Sequence, residues 1–186
     1  MHLTMPLPFF TIGHSNRSFP AFLKLLREAE VERVLDIRKI PMSRANPQFD
    51  KDALSIALSE ALISYEHLSA LGGLRGSAKT FSTTMNGMWM NESFHNYADY
   101  ALTSLFQEGL QHLLEEGHEQ RSAIMCSEAV WWRCHRRIVA DYLIARGETV
   151  FHIIGPNRIE PARMTAGAVV EPVCIVTYPA TPRDNT

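Results

Sequence analysis

The chain reads as an α/β protein: a mostly parallel central sheet flanked by helices, in a single layered domain. Three observations predict it. Short apolar runs suited to buried strands ("FFTIG", "RVLDIR", "SAIMC", "TVFHII") alternate with stretches whose apolar residues recur at helical spacing. The first strand, the helix after it and the second strand make a βαβ unit, hence a parallel pair with a right-handed crossover. Finally, 186 residues that are 46% hydrophobic supply one sizeable core. Alternation of this kind belongs to layered α/β folds.

The elements follow in order. "FFTIG" (9–13) ends in a glycine turn, and Ser18 is placed to cap a helix that tolerates Pro20 in its first turn. Phe19, Phe22, Leu23 and Leu26 set the helical period through about Glu30. "RVLDIR" (33–38) is the second strand and "PMSRANPQF" a loop. Asp50 begins a helix carrying Leu54, Ala57, Leu58, Ala61 and Leu62, and "SYEHL" (64–68) suits a third strand. Residues 69–92 show no period; a connection this long is expected to be a long loop or lid. From Ser93 one continuous helical pattern runs through Phe94, Tyr97, Ala101, Leu105, Leu110 and Leu114. "SAIMC" (122–126) is a strand, followed by a helix from about Arg133 to Arg146 that Gly147 terminates. "TVFHII" (149–154) is the last central strand. Residues 156–186 are expected to be a C-terminal extension, in which "GPNRIEPARMTAG" is loop and "VCIVTYP" a late edge strand.

Charge and composition exclude several classes. A net charge of −2 argues against a globally basic nucleic-acid-binding domain, so a positive patch must be local. No apolar run approaches the ~18 residues of a membrane span, and the start does not read as a signal peptide. Three cysteines, Cys126, Cys134 and Cys174, are too few for a disulfide framework. A cytoplasmic protein is expected.

In open α/β sheets, ligands bind beyond the carboxyl ends of the strands. Those ends carry His14 and Ser15, then Asp36 and Arg38, then Cys126 and Glu128. The stretch "IMCSEAVWWRCHRR" (124–137) adds to this edge. On a helix through Ile138, Val139, Tyr142 and Leu143, Cys134 aligns with Ile138 and His135 with Val139, so both should face inward. Arg136 and Arg137 fall in the first turn, where the macrodipole disfavours cations; a bound anion or a pairing with Glu128 would compensate. Trp131 and Trp132 are expected to pack rather than to form a stacking platform.

For the thiols, the sharpest reading is a low-pKa nucleophile at a helix N-terminus beside arginine or histidine. A buried, inert pair competes with it. Metal binding by Cys126, Cys134 and His135 or His14 ranks last, because the spacing matches no usual zinc pattern; neither metal nor cofactor is expected. Cys126 to Arg133 has the order of the anion cradles of cysteine phosphatases and sulfur transferases. The loop "SEAVWW" contains no glycine, however, and its acid and indoles would crowd a phosphate.

The ordered set "TIGHSNRSF", "VLDIRKIPMSR", "ISYEHLSALGGLRG", "FHNYADYALTSLF", "IMCSEAVWWRCHRRIVADYL" and "FHII" resembles a bacterial family, domain of unknown function 488, over roughly residues 9–155. "RIEPARMTAGAV" looks like the tail of a common subgroup. The resemblance marks Cys126, Glu128, Cys134, His135 and Arg136 (Cys-x-Glu, then Cys-His-Arg), residues 11–15, and Asp36 and Arg38 as recurring positions. Val130, Trp131 and Trp132 depart from members with proline and aspartate in that loop. The resemblance implies a site and no particular reaction. The expected function is an enzyme acting on an anionic substrate, a nucleotide or nucleic-acid fragment among the candidates. Cys126, Glu128, Cys134 and His135 would be catalytic, and His14, Ser15, Asp36, Arg38 and Arg136 would bind substrate. The alternative is a non-catalytic module binding nucleic acid or a protein partner.

Overall fold

The structure, a computed structural model, describes residues 6–77 and 84–180. The described elements run β1 (Phe9–Gly13), α1 (Phe19–Glu28), β2 (Arg33–Asp36), α2 (Lys51–Glu60), β3 (Ser64–His67), α3 (Glu92–Tyr100), α4 (Ser104–Glu119), β4 (Ser122–Cys126), α5 (Arg136–Ala145), β5 (Val150–Gly155), β6 (Arg158–Pro161), β7 (Val169–Glu171) and β8 (Ile175–Thr177). A six-stranded sheet has the order β3-β2-β4-β1-β5-β6. Its pairings are parallel except that of β6, which lies antiparallel to β5 at one edge. The chain therefore forms the α/β, mostly parallel, single domain that the alternation of strands and helices predicts.

Strand alternation divides the core in two. Phe10, Ile12, Val34 and Met125 face α1 and α2, where Phe22, Leu25, Leu26, Leu54 and Leu58 are buried. Phe9, Leu35, Ile124 and Val150 face α3, α4 and α5, meeting Tyr97, Phe106, Leu110, Val139 and Tyr142. Both sheet faces are covered, so the central strands are continuously apolar. The connection from β1 leaves toward β2 over one face, and that from β4 leaves toward β5 over the other. Adjacent strands whose connections diverge open a crevice at their carboxyl ends, the usual ligand position in such sheets.

Several elements differ from the sequence expectation for local reasons. The helical pattern from Ser93 is broken into α3 and α4, because the Thr103 hydroxyl caps α4 by accepting the Phe106 N–H and Gln107 donates to the Ala101 carbonyl. Helix α5 begins at Arg136 rather than Arg133: residues Trp131–Arg133 form a 3-10 turn and Cys134 is extended. "GPNRIEPARMTAG" is not all loop, since Asn157, at φ 53, turns the chain back so that β6 pairs with β5. "VCIVTYP" contributes β8, which pairs with β7 in a separate two-stranded ribbon rather than with the central sheet. Tyr178, after β8, is fully buried and donates to Asp141 of α5 at 2.8 Å. Gly147 takes a φ of 85 after α5, a conformation that favours glycine. In the 69–92 segment, Ser69–Leu71 form a 3-10 turn, while residues 78–83 lie outside the described part. No helix among the described residues is long and apolar enough to cross a membrane.

Candidate functional site

A cleft of about 440 Å³ opens at the carboxyl ends of β1, β2 and β4. His14, Arg38, Cys126, Glu128, Cys134 and His135 line it, drawn from four separate segments. The ladder extends past the strands to hold these segments: His14 N–H donates to the Cys126 carbonyl at 3.0 Å, Ser15 N–H to Ser127 at 2.9 Å, and Ile37 N–H to Met125 at 3.0 Å. Gly13 is required here, because a Cβ at that position would overlap the Glu128 carbonyl.

On the α5 side of the sheet lies a sulfur cluster. Cys126 and Cys134 are both free and both buried, at 7% and 5% exposure. Arg136 Nε–H donates to Cys134 Sγ at 3.3 Å, and its other guanidinium arm donates to the Glu128 carbonyl. The Arg136 side chain is 1% exposed, and none of the ion pairs among the described residues includes it. A buried guanidinium needs an anion nearby, and the sulfur it touches is the one at hand. Burial by itself would raise the Cys134 thiol. The Cys126 S–H, the Arg136 charge and the Arg136 backbone and side-chain N–H donors outweigh it and hold Cys134 below the ordinary cysteine value. Cys126 moves oppositely, raised first by its hydrogen bond to Cys134 and then by burial. The two shifts are opposite in direction and favour the proton on Cys126 over Cys134.

His135 caps α5. Its Nε2 lies 3.0 Å from the Ile37 carbonyl, which can only accept, so Nε2 carries a proton and Nδ1 faces Cys134 Sγ at 3.7 Å. The ring packs against Tyr97, with centroids 4.8 Å apart, and on Gly73, where a Cβ would lie 2.8 Å from Nδ1. Sequence periodicity places Tyr97 on a helix's core face and assigns no role to Gly73, for which the glycine pair in "LGGLRG" is the available signal. Cys126 Sγ, Cys134 Sγ and His135 Nδ1 lie within 4.8 Å of one another, so the trio could hold a metal ion. Arg136 packs on the same Cys134 sulfur and places a cation beside that position.

On the α2 side, Asp36 is fully buried rather than open to the cleft. It accepts from Arg38 Nε at 2.9 Å, from Arg38 NH2 at 2.6 Å and from the Tyr65 hydroxyl at 2.6 Å. Arg38 also donates to the Phe49 carbonyl at 2.8 Å and faces His14 Nε2 at 3.3 Å. His14 donates from Nδ1 to the Ser15 carbonyl at 2.8 Å and stacks on Phe49, its ring centroid 4.3 Å away. Since Arg38 can only donate, His14 Nε2 is unprotonated, and burial, aided by the Arg38 charge, lowers its pKa to about 4. Ser15 is not among the residues lining the cleft; it takes a φ of 51, with its hydroxyl toward Asn16. Glu128 is exposed on the rim, as is Arg133, and Lys39 donates to the Leu74 carbonyl at 2.9 Å beside it. Trp131 stacks on the buried His152 at 4.2 Å with rings 9° apart, and Trp132 meets it edge-on.

The family model described as "Domain of unknown function DUF488" matches residues 18–143. The chain belongs to this family. The DUF488 match includes Asp36, Arg38 and the whole Cys126–Arg136 segment, while β1 and His14 precede it and β5 to β8 follow it. No curated protein matches the chain, and no solved structure does.

Proposed function

We propose that the protein is an enzyme acting on a small anionic substrate through nucleophilic attack by the Cys134 thiolate. The observation that carries this is the pairing of Cys134 Sγ with the buried Arg136, which forms no ion pair with a carboxylate among the described residues, at the wall of an open cleft. His135 Nδ1 is placed to take a proton from the thiol pair, and Glu128 on the rim is the second acid–base candidate. Arg133 and Lys39 are exposed cations lining the cleft and would meet the substrate's charge. Arg38, buried in the cleft wall and held by Asp36, and Arg136, held by Cys134, add to the positive field. His14, Ser15 and Asp36 hold this wall in shape. The cleft's volume falls in the range of small-molecule sites and suits a nucleotide-sized anion. The three cysteines are free and suit a reducing compartment, which supports a cytoplasmic location.

The test is alkylation of the folded protein by iodoacetamide, with peptide mass mapping, in the presence and absence of phosphate. Cys134 should react first and phosphate should slow it. If Cys134 and Cys126 stay inert until the protein unfolds, the thiolate reading falls, and salt-sensitive nucleic-acid binding without turnover would replace it with the binding-module alternative.

A further inference from the structure

The nucleophile reading leaves Cys126 with no chemistry of its own, yet Cys126 is the thiol nearest the reactive sulfur. It sits on the last residue of β4, a strand laddered on both sides, so its Cα is fixed. Cys134 lies on the extended residue between a 3-10 turn and α5, outside regular structure. Both thiols are free, both line the cleft, and their sulfurs lie within 4.8 Å. A disulfide has S–S of ~2.05 Å, so the sulfurs must approach by at most roughly 2.7 Å, within reach of χ1 rotation and a small shift of the loop. Both thiols are buried in the wall of the cleft, Cys134 at 5% exposure and Cys126 at 7%.

We propose that Cys134 is a site of oxidation by hydroperoxides and that Cys126 is its resolving thiol, the two closing a reversible disulfide that switches the site off. This rests on the thiolate reading above. The Cys134 sulfur attacks the terminal peroxide oxygen; the S–O bond forms, the O–O bond breaks, and the departing alkoxide or hydroxide takes a proton from solvent or from protonated His135. Cys126 then gives its proton to His135 Nδ1 and attacks the Cys134 sulfur. The S–S bond forms, the S–O bond breaks, and hydroxide leaves as water with that proton. Two thiols lose two electrons to one hydroperoxide, giving a disulfide, an alcohol (water, where the oxidant is hydrogen peroxide) and water. An external dithiol restores the pair by exchange. Arg136 stabilises the reduced thiolate and loses that partner in the disulfide, so the couple is poised toward reduction and closes only under oxidant.

The experiment treats the reduced full-length protein with one equivalent of hydrogen peroxide, then maps peptides without reductant. The expected result is loss of two free thiols and a Cys126–Cys134 crosslink, with Cys174 unchanged and full reversal by dithiothreitol. In Cys126→Ser, oxidation should stop at a Cys134 sulfenic acid that dimedone traps. Should that variant not fold, wild-type mapping alone decides. Rapid alkylation of Cys134 without any peroxide-induced crosslink overturns the resolving role and leaves the nucleophile reading standing. Inertness of both thiols to alkylation and to peroxide overturns both, as does reactivity that appears only after a chelator.

Discussion

Replacing Arg136 with methionine keeps the volume of the side chain and removes its charge and N–H donors, so it measures what holds the Cys134 thiolate. With Nε 3.3 Å from Sγ and an effective dielectric of ~20, a unit charge pair is worth roughly 5 kcal/mol. Spread of the charge over the guanidinium and exchange of water into the cleft reduce this to about half, or ~1.5–2 pKa units. The other groups facing the sulfur are Cys126, His135 and Tyr97, and the substitution leaves all three in place. The assay is iodoacetamide alkylation of Cys134 followed across pH. The midpoint should rise by at least ~1.5 pH units in Arg136→Met. The limiting rate at high pH should rise about 5-fold, because a more basic thiolate is the better nucleophile. Arg136→Lys, which keeps the charge and loses the Nε–H, should fall between. A folded Arg136→Met protein whose midpoint moves by less than ~0.5 unit refutes the ion pair as the cause.

Other consequences are as direct. Asp36→Asn leaves Arg38 buried without its counter-ion and should cost about 3–5 kcal/mol in urea denaturation, against under ~0.5 for Glu160→Gln in the exposed Arg158 pair; equal costs would contradict it. His14 and His152, both with pKa lowered to about 4 from 6.5 by burial, are neutral in the folded state, whereas the unfolded chain takes up protons below 6.5. Stability is therefore intact above that pH and is lost as pH falls toward 4, by up to roughly 3 kcal/mol per ring. His152→Gln should flatten this acid limb in a pH series of denaturation midpoints. Gly73→Ala brings a Cβ to 2.8 Å from His135 Nδ1; it should displace the ring and change the alkylation profile of Cys134 while costing only about 1–2 kcal/mol of stability. An unchanged profile would show that His135 has no hold on the sulfur.

Much of the frame was legible in the residue order. Phe9, Phe10, Ile12, Leu35, Ile124 and Ala123 alternate between the two faces because strand periodicity is local, and the Phe22, Leu25, Leu26 stripe is helical for the same reason. Strand-to-helix alternation also placed His14, Arg38, Cys126 and Glu128 at one sheet edge, since a parallel sheet brings all its carboxyl ends together. The inward direction of Cys134 and His135 was reached from a helical projection that does not hold there: Cys134 is extended, and tertiary contacts rather than helical phase direct its sulfur to Arg136.

What the chain order could not specify are the pairings between segments distant in sequence. Ile37 sets which nitrogen of His135 is protonated from 98 positions away, and Gly73 meets that ring only once the 69–77 segment has folded over the cleft. Arg38 turns to Asp36 and the Phe49 carbonyl, and Arg136 to Cys134, because a buried guanidinium takes the acceptors the packed core leaves within reach. The edge strand β6, the strand β7 and the pairing of β8 with it likewise escaped the sequence reading, since short exposed strands carry little periodicity and are defined by their partners. Residue order alone determined the layers and the strand ends. Which side chain pairs with which was decided only by the tertiary structure, because burial leaves each charge few partners and those partners come from other elements.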